Sequence, residues 1–133
     1  MPAFTLNRAL CLQIYFLFCI MPFLEAQQTL IPKELQCEYL NNPIGIDSPH
    51  PRLTWKIIDP RQGSKQSAFQ IFIATDSNVL NNQKSEVFHT PIIDDAAQLF
   101  NYRGDALKSF TRYYWQVKVW DQNGISSISN INY

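Results

Sequence analysis

The sequence predicts an all-β fold, an immunoglobulin-like or fibronectin type III-like antiparallel β-sandwich of about seven strands. In Tyr113–Trp120, aromatic and β-branched residues stand at every second position, which is the period of a strand with one buried face. Asn123-Gly124 follows closely, and this dipeptide favours a hairpin turn. Other short alternating segments are separated by turn residues, and no segment has helical periodicity. We therefore expect Tyr113–Trp120 to be the central strand of an antiparallel sheet.

The first 26 residues are predicted to be a secretory signal peptide rather than part of the fold. Arg8 precedes an apolar run over residues 9–24, and the small residue Ala26 follows, which is the order of parts in a signal peptide. The alternative is an uncleaved anchor, but the run is shorter than the roughly 20 residues that a spanning helix requires. We expect cleavage after Ala26, a mature domain over 27–133, no membrane span after cleavage, and export to the periplasm or the extracellular space.

Charge and cysteine content restrict the function classes. The chain has 11 basic and 11 acidic residues, and this balance argues against a nucleic-acid partner. Cys11 and Cys19 lie in the predicted signal, so Cys37 is left alone and an internal disulfide is not expected. Because Cys37 alternates with Leu35, we interpret it as a small buried hydrophobic residue. A reactive thiol or an intermolecular bridge is the alternative.

The first half of the mature chain contains three predicted strands. The first, over 32–40, places Leu35, Cys37 and Tyr39 on one face. Residues 41–51 contain three prolines and a glycine, which exclude a helix and predict an extended connection between the sheets. The second strand, 52–58, buries Leu53, Trp55 and Ile57, and 59–63 is a turn. The third strand, 67–75, carries Phe69, Ile71 and Ile73 on one face and Gln70 and Phe72 on the other.

The second half is predicted to complete the sandwich. Residues 76–90 are polar, with an edge strand only at 87–88, and a loop over 91–97 precedes a short strand around Phe100 and Tyr102. Leu107 stands six residues before Tyr113, which is the spacing of the tyrosine corner, where the tyrosine hydroxyl bonds to upstream backbone. The last strand, over 126–133, is expected to pair with Tyr113–Trp120 through the Asn-Gly turn.

No residue pattern predicts a catalytic, cofactor-binding or metal site, so we expect no catalytic residues and no cofactor. His50 lies between two prolines, His89 lies in a weak edge segment, and no metal-ligand spacing joins them. Asp94-Asp95 is the only adjacent carboxylate pair, and nothing places a second carboxylate across a cleft from it, as a glycosidase requires. We interpret this pair as a solvated turn or as helix-capping groups.

Aromatic residues on the second face of the predicted sheet are the remaining candidates for a binding role. Trp120 faces away from Trp115, and Tyr114 and Phe72 are expected on the same side. If they are exposed, these rings are suitable for stacking on a sugar or for anchoring a protein interface. If they are covered, they pack against the chain itself or a neighbouring domain. The alternation alone leaves both possibilities open.

The combination of several motifs resembles the opening of bacterial α-L-rhamnosidases of glycoside hydrolase family 78. The resemblance spans about residues 33–133, and the segments that carry it are Leu35–Asp47, Pro51–Trp55, Gln66–Ile71, Tyr102–Leu107 and Tyr113–Asp121. The chain departs from the family pattern at Asn81–Ser85, where a Trp-Asp-Ser-Gly-like turn is usual. The resemblance implies an N-terminal fibronectin type III-like module.

The resemblance also implies what the module does not do. The family hydrolyses terminal α-L-rhamnose with inversion, using carboxylates on a downstream (α/α)-barrel, and no position of this chain matches those motifs. We therefore expect a non-catalytic module of a secreted α-L-rhamnosidase, present here as a truncated fragment, with the other domains of that enzyme as its partners. The alternative is a free-standing surface module that binds protein or rhamnose-containing glycans.

Overall fold

Residues 28–133 are described by a computed structural model, and the predicted signal peptide over 1–26 lies outside the described residues. Within them, seven strands and one short helix form in the order β1 Ile31–Cys37, β2 Arg52–Ile58, β3 Gln66–Ala74, α1 Ser77–Asn81, β4 Phe88–His89, β5 Leu99–Asn101, β6 Tyr114–Asp121 and β7 Ser126–Ile128.

The strands form two antiparallel sheets that face each other. One sheet has the order β1-β2-β5, and the other has the order β4-β3-β6-β7. The predicted central strand corresponds to β6, which pairs with β3 over most of its length and with β7 on its other side. Gly124 has a φ of 78°, as the predicted turn between β6 and β7 requires. The prediction of an immunoglobulin-like sandwich is thus confirmed.

One hydrophobic core fills the space between the sheets. It contains the inward residues of β2, β3 and β6, together with residues of β1 and β5, and its members are Leu30, Leu35, Cys37, Leu53, Trp55, Phe69, Ile71, Ile73, Phe100, Tyr102, Trp115, Val117 and Val119. Within residues 28–133, the two sheets therefore share a core of their own, as expected of a segment that folds as a unit.

A bulge in β1 changes the face of the sheet on which its residues lie. In β1 the register shifts between Lys33 and Gln36, and Glu34 has a φ of 49°. The extra residue turns Pro32 inward before the bulge and Leu35 inward after it. The predicted strand over 32–40 is too long, because Glu38 and Tyr39 have φ values of 49° and 64° and end β1. Tyr39 is therefore 54% exposed, not on the buried face.

The polar segment after β3 contains an element that the sequence pattern did not predict. Asp76 caps α1 by accepting a hydrogen bond from the Asn78 amide at 2.8 Å. The helix is only five residues long, so it is too short to show a period. Its Leu80 is fully buried against Phe72 and Ala74 on the outer side of β3. The predicted edge strand appears as β4.

The tyrosine corner forms at the predicted residues. The Tyr113 hydroxyl accepts a hydrogen bond from the Lys108 amide at 3.0 Å, and Leu107 packs against the core. Gly104 precedes this corner at a crowded position, since a Cβ there would lie 2.7 Å from Cδ2 of Phe88. The Tyr102 ring lies against Gly104. The Tyr102 hydroxyl donates a hydrogen bond to the Asp105 carbonyl at 2.8 Å. These bonds fix the long connection between β5 and β6.

Replacing Tyr113 with phenylalanine is expected to lower the free energy of unfolding by about 0.5–1.5 kcal/mol, because the Lys108 amide loses its acceptor. Urea titration followed by circular dichroism measures this change. Tyr39→Phe is the matched control, since Tyr39 is 54% exposed and its loss of a hydroxyl should change stability by less than about 0.5 kcal/mol. Equal losses in the two variants would show that the corner does not stabilise the fold.

Candidate functional site

The histidines and paired aspartates of the sequence analysis do not come together. His50 is exposed and stacks on Tyr102, with ring centroids 5.9 Å apart. His89 is exposed on β4 at the edge of the other sheet. Asp94 and Asp95 are exposed in the loop before β5, and Asp95 Oδ1 accepts a bond from the Ala97 amide at 2.8 Å. The interpretation of Asp94-Asp95 as a solvated turn is confirmed.

Residues 28–133 include no group of three or more His, Cys, Asp or Glu side chains placed to hold a metal ion. The single helix in that range, α1, is too short and too polar to cross a bilayer.

The outer face of the four-stranded sheet carries the three aromatic candidates, but not as one exposed platform. Phe72 is only 7% exposed and packs with Leu80 of α1, so of the two possibilities for this ring the covered one holds. Tyr114 is half-buried in the same cluster. Trp120 is half-buried at the open end of this face, and the Lys118 ammonium lies 5.3 Å from its ring centroid. A sugar stacking on that side of the ring would have to displace Lys118.

Beside α1 the same face has an open groove of about 540 Å³. The groove is lined by Gln70, Phe72, Gln83, Lys84, Ser85 and His89. Lys118 Nζ donates to the Gln83 side chain at 3.1 Å near its floor. The lining is mostly polar and exposed, and it contains no pair of titratable groups in contact.

A buried polar residue that sequence reasoning missed connects the two sheets. Trp55 Nε1 donates to Gln66 Oε1 at 2.9 Å, and Gln66 Nε2 donates to the carbonyls of Asp95 and Ala97 at 3.1 and 2.8 Å. Gln66 is 5% exposed. Its inward position depends on a bulge, because the β3–β6 register shifts between Gln66 and Ala68. Gln66 therefore ties the β4–β5 loop to the core.

A buried carboxylate was also missed. The Asp121 side chain is fully buried at the end of β6, and Oδ1 accepts hydrogen bonds from the Asn123 and Ile125 amides at 2.9 Å each. Arg61 Nη1 lies 3.0 Å from Asp121 Oδ2, and the same guanidinium pairs with Asp59 at 2.6 Å. The sequence did contain a signal for this contact. Asp121 stands two residues before the Asn-Gly turn, and an aspartate at the start of a turn often accepts hydrogen bonds from the turn's backbone amides.

The pKa of Asp121 is lowered despite its burial. Burial is the largest influence and raises the pKa, but the Ile125 and Asn123 amides and the Arg61 guanidinium together outweigh it. The pKa of Asp59 is also lowered, chiefly by its bonds to Arg61. Both carboxyl groups therefore stay ionised at neutral pH, and this cluster holds the turns at one end of the sandwich.

Cys37 is buried and free, as predicted for a small hydrophobic residue. Burial, and secondly the charge of Glu38, raise the pKa of the thiol to about 11. A thiol with that pKa carries almost no thiolate at neutral pH, and thiolate is the reactive form. The arrangement therefore does not support a nucleophilic role for Cys37.

In a chain that begins at residue 27, Cys37 is expected to resist iodoacetamide at pH 8 and to react fully once urea unfolds the chain. Mass spectrometry after timed quenching measures the modified fraction. The control is Ser109→Cys combined with Cys37→Ala, which places a thiol at an exposed position and should react without urea. Native Cys37 reacting as fast as this control would contradict the assignment.

Several apolar residues are exposed at the end of the sandwich where β1 ends and β6 begins. We call it the Tyr133 pole and define it by the loops 38–51 and 102–113 and by residues 129–133. Tyr133 donates its amide to Asn42 Oδ1 at 3.1 Å, and the Leu107 amide donates to the Pro49 carbonyl at 3.1 Å, so the three segments are in contact. Its exposed apolar residues are Tyr39, Leu40, Ile44, Phe110 and Tyr133.

Comparison with known proteins gives consistent matches for this fold. The family model described as the Rha78A-like, N-terminal immunoglobulin domain matches residues 32–133. An α-L-rhamnosidase of Streptomyces avermitilis is 37% identical over 91 residues, which are 68% of this chain and 9% of that protein. One of Formosa agariphila is 36% identical over 88 residues, 65% of this chain and 9% of that protein.

Solved structures agree with these sequence matches. The structure of α-L-rhamnosidase from Dictyoglumus thermophilum has a TM-score of 0.73 at 28% identity and covers 77% of this chain. The Streptomyces avermitilis α-L-rhamnosidase, solved with L-rhamnose, has a TM-score of 0.71 at 33% identity and covers 78% of this chain. The match takes in 12% and 10% of those chains, so this chain spans about a tenth of the length of its relatives. The resemblance read from the sequence motifs is confirmed.

Proposed function

We propose, since this chain belongs to the family of Rha78A-like N-terminal immunoglobulin domains, that it is the non-catalytic N-terminal module of an exported α-L-rhamnosidase. The observation that carries the proposal is the family match over residues 32–133 together with the small share of each relative that the match covers. In the relatives, about nine-tenths of the polypeptide lies outside the module. The module's role in this proposal is to pack against that remainder and to hold it in place.

The chemistry in this proposal takes place outside residues 28–133. Hydrolysis of terminal α-L-rhamnose with inversion needs an acid and a base carboxyl group on either side of the glycosidic bond. In the described residues, Asp94 and Asp95 lie in an exposed turn, while Asp59 and Asp121 are held by Arg61 at the turns. Neither pair faces a sugar-sized cleft, which supports a scaffolding role for the module.

A chimera tests the proposal directly. In it, residues 28–133 replace the matched segment of the Streptomyces avermitilis α-L-rhamnosidase, the relative with 37% identity. We expect the chimera to hydrolyse an aryl α-L-rhamnoside and to unfold at a higher temperature than the same enzyme lacking the segment. The physical reason is that an interdomain contact stabilises both partners by mass action. Calorimetry and initial rates measure the two properties.

The unfused chain is the control for the chimera. It is expected to release no product from the aryl α-L-rhamnoside above a buffer blank. Turnover by the purified chain that saturates with substrate would contradict the non-catalytic role. A chimera no more stable than the deleted enzyme would contradict the scaffolding role.

Glycan binding by the module is the alternative that the sequence left open. The burial of Phe72 and the position of Lys118 over Trp120 weaken it, because they leave no continuous aromatic platform on that face. Titration of the chain with L-rhamnose to millimolar concentration, followed by tryptophan fluorescence, tests it. A saturable shift that Trp120→Ala removes would favour glycan binding over scaffolding.

A further inference from the structure

We infer that the Tyr133 pole is the docking surface for the domain that follows this module in an α-L-rhamnosidase polypeptide. The inference rests on the proposed function and deepens it, because it names the surface and its occupant. Four observations carry it: two fully exposed apolar side chains, a strained aromatic residue, a stacked arginine–tyrosine pair, and the place where the last strand ends.

Ile44 and Phe110 are the most exposed large apolar residues in the described part of the chain, at 99% and 110% of their reference areas. Single exposed apolar residues are common, but these two lie, with Tyr39, Leu40 and Tyr133, on the three segments that meet at the Tyr133 pole. Covering such a surface with another domain removes it from water, which is the main favourable term in association.

The backbone at Phe110 adds a second reason. Its φ is 54°, a conformation that is rare for bulky residues and costs energy, and that glycine or asparagine would adopt more easily. The ring is fully exposed, so packing within residues 28–133 does not offset that cost. The strained turn presents the ring outward. This is the arrangement expected of an anchor that another domain covers.

Arg112 and Tyr133 supply a polar edge to the same surface. The Arg112 guanidinium lies 4.6 Å from the centroid of the Tyr133 ring, and the Tyr114 ring meets Tyr133 edge-on at 6.3 Å. Arginine and tyrosine are enriched among the residues that dominate interface energetics. The Tyr133 amide is bonded to Asn42, and its ring contacts Arg112 and Tyr114. The ring is therefore already ordered before a partner binds.

The topology identifies the occupant. The final segment pairs with β6 up to the contact between Asn132 and Trp115, so in a longer relative the following chain leaves the sandwich at this pole. A domain joined there by a short connection has a high effective concentration at the pole and a low one at the opposite end. The occupant is therefore the next domain of the same polypeptide, not a second module.

The chimera with the Streptomyces avermitilis enzyme also tests the surface. The pole variant carries Ile44→Asn and Phe110→Asn, and the matched control carries Ile58→Asn and Ile92→Asn, which are exposed apolar residues of the opposite end. Limited proteolysis at the junction and calorimetry measure whether the module is docked. We expect the pole variant to be cleaved at least about tenfold faster than the parent chimera, as for loss of an interface anchor. The control should match the parent.

The unfused chain shows whether folding is affected. The pole variant of the chain alone should unfold at the same temperature as the parent or a higher one, because asparagine relieves the positive φ at residue 110. If the parent chimera is stable and the pole variant is cleaved at the same rate as the parent and the control variant, the inference is overturned. The proposed function would still stand. A parent chimera that behaves like the deleted enzyme would overturn both.

Discussion

Replacing Trp55 with alanine is expected to lower the free energy of unfolding by about 3–5 kcal/mol. Trp55 is 2% exposed, its ring centroid lies 5.0 Å from that of Phe69, and its Nε1 bonds to Gln66. Domains of this kind have only about 5–15 kcal/mol of stability in total, so this loss is a large fraction of it. Urea titration followed by circular dichroism measures the loss. A change below about 1 kcal/mol would contradict the role given to Trp55.

A comparison of the two buried tryptophans separates packing from hydrogen bonding. Trp55→Phe and Trp115→Phe remove similar volumes from the core, but only Trp55 donates a hydrogen bond; Trp115 Nε1 has no partner among residues 28–133. We expect Trp55→Phe to cost about 1–3 kcal/mol more, because it leaves Gln66 Oε1 buried and unsatisfied. Equal losses would show that the Trp55–Gln66 bond contributes nothing.

Asp121→Ala is expected to be the second most damaging change, with a loss of about 3 kcal/mol at pH 7. The substitution removes a buried carboxylate that accepts bonds from the Asn123 and Ile125 amides and faces Arg61. Asp121→Asn keeps the shape and one acceptor, so it should lie between the alanine variant and the parent. Thermal and urea unfolding at neutral pH rank the three proteins.

The same carboxylate gives the parent a distinct acid response. The pKa values of Asp121 and Asp59 are lowered in the folded state, so below the ordinary value of 3.8 the unfolded chain binds more protons. The stability they contribute is therefore complete above pH 5 or so and is lost as the pH falls through their folded pKa values. Asp121→Asn should show a shallower loss between about pH 4 and pH 2. Parallel curves for the two proteins would contradict this assignment.

Sequence reasoning predicted the strands well where burial alternates without interruption. The bounds of β2 match the expectation, and the core-facing residues Phe69, Ile71 and Ile73 of β3 lie on one face as predicted, because they follow a period of two. The Asn-Gly turn and the tyrosine corner were also predicted, since both depend on local spacing. The family motifs then led to the correct module.

What was missed depends on backbone irregularities and on distant contacts. The bulges in β1 and at the start of β3 turn Gln66 inward and end β1 before Tyr39, and a period-two pattern contains no sign of either. The exposure of Phe72 could not be decided from the sequence, because α1, which packs on it, is too short to be recognised from periodicity. The Tyr133 pole brings together three segments far apart in the sequence, so no single motif could have predicted that surface.

The pairing of β3 with β6 also determines when this chain is able to fold during its synthesis. Gln66–Ala74 makes its longest pairing with Tyr114–Asp121, and two shorter strands and a helix lie between them in the chain. Strand pairing over such a separation is slow, and the middle of the larger sheet cannot form until the ribosome has passed Asp121. The apolar residues of both strands therefore stay accessible to chaperones until synthesis has passed the end of β6.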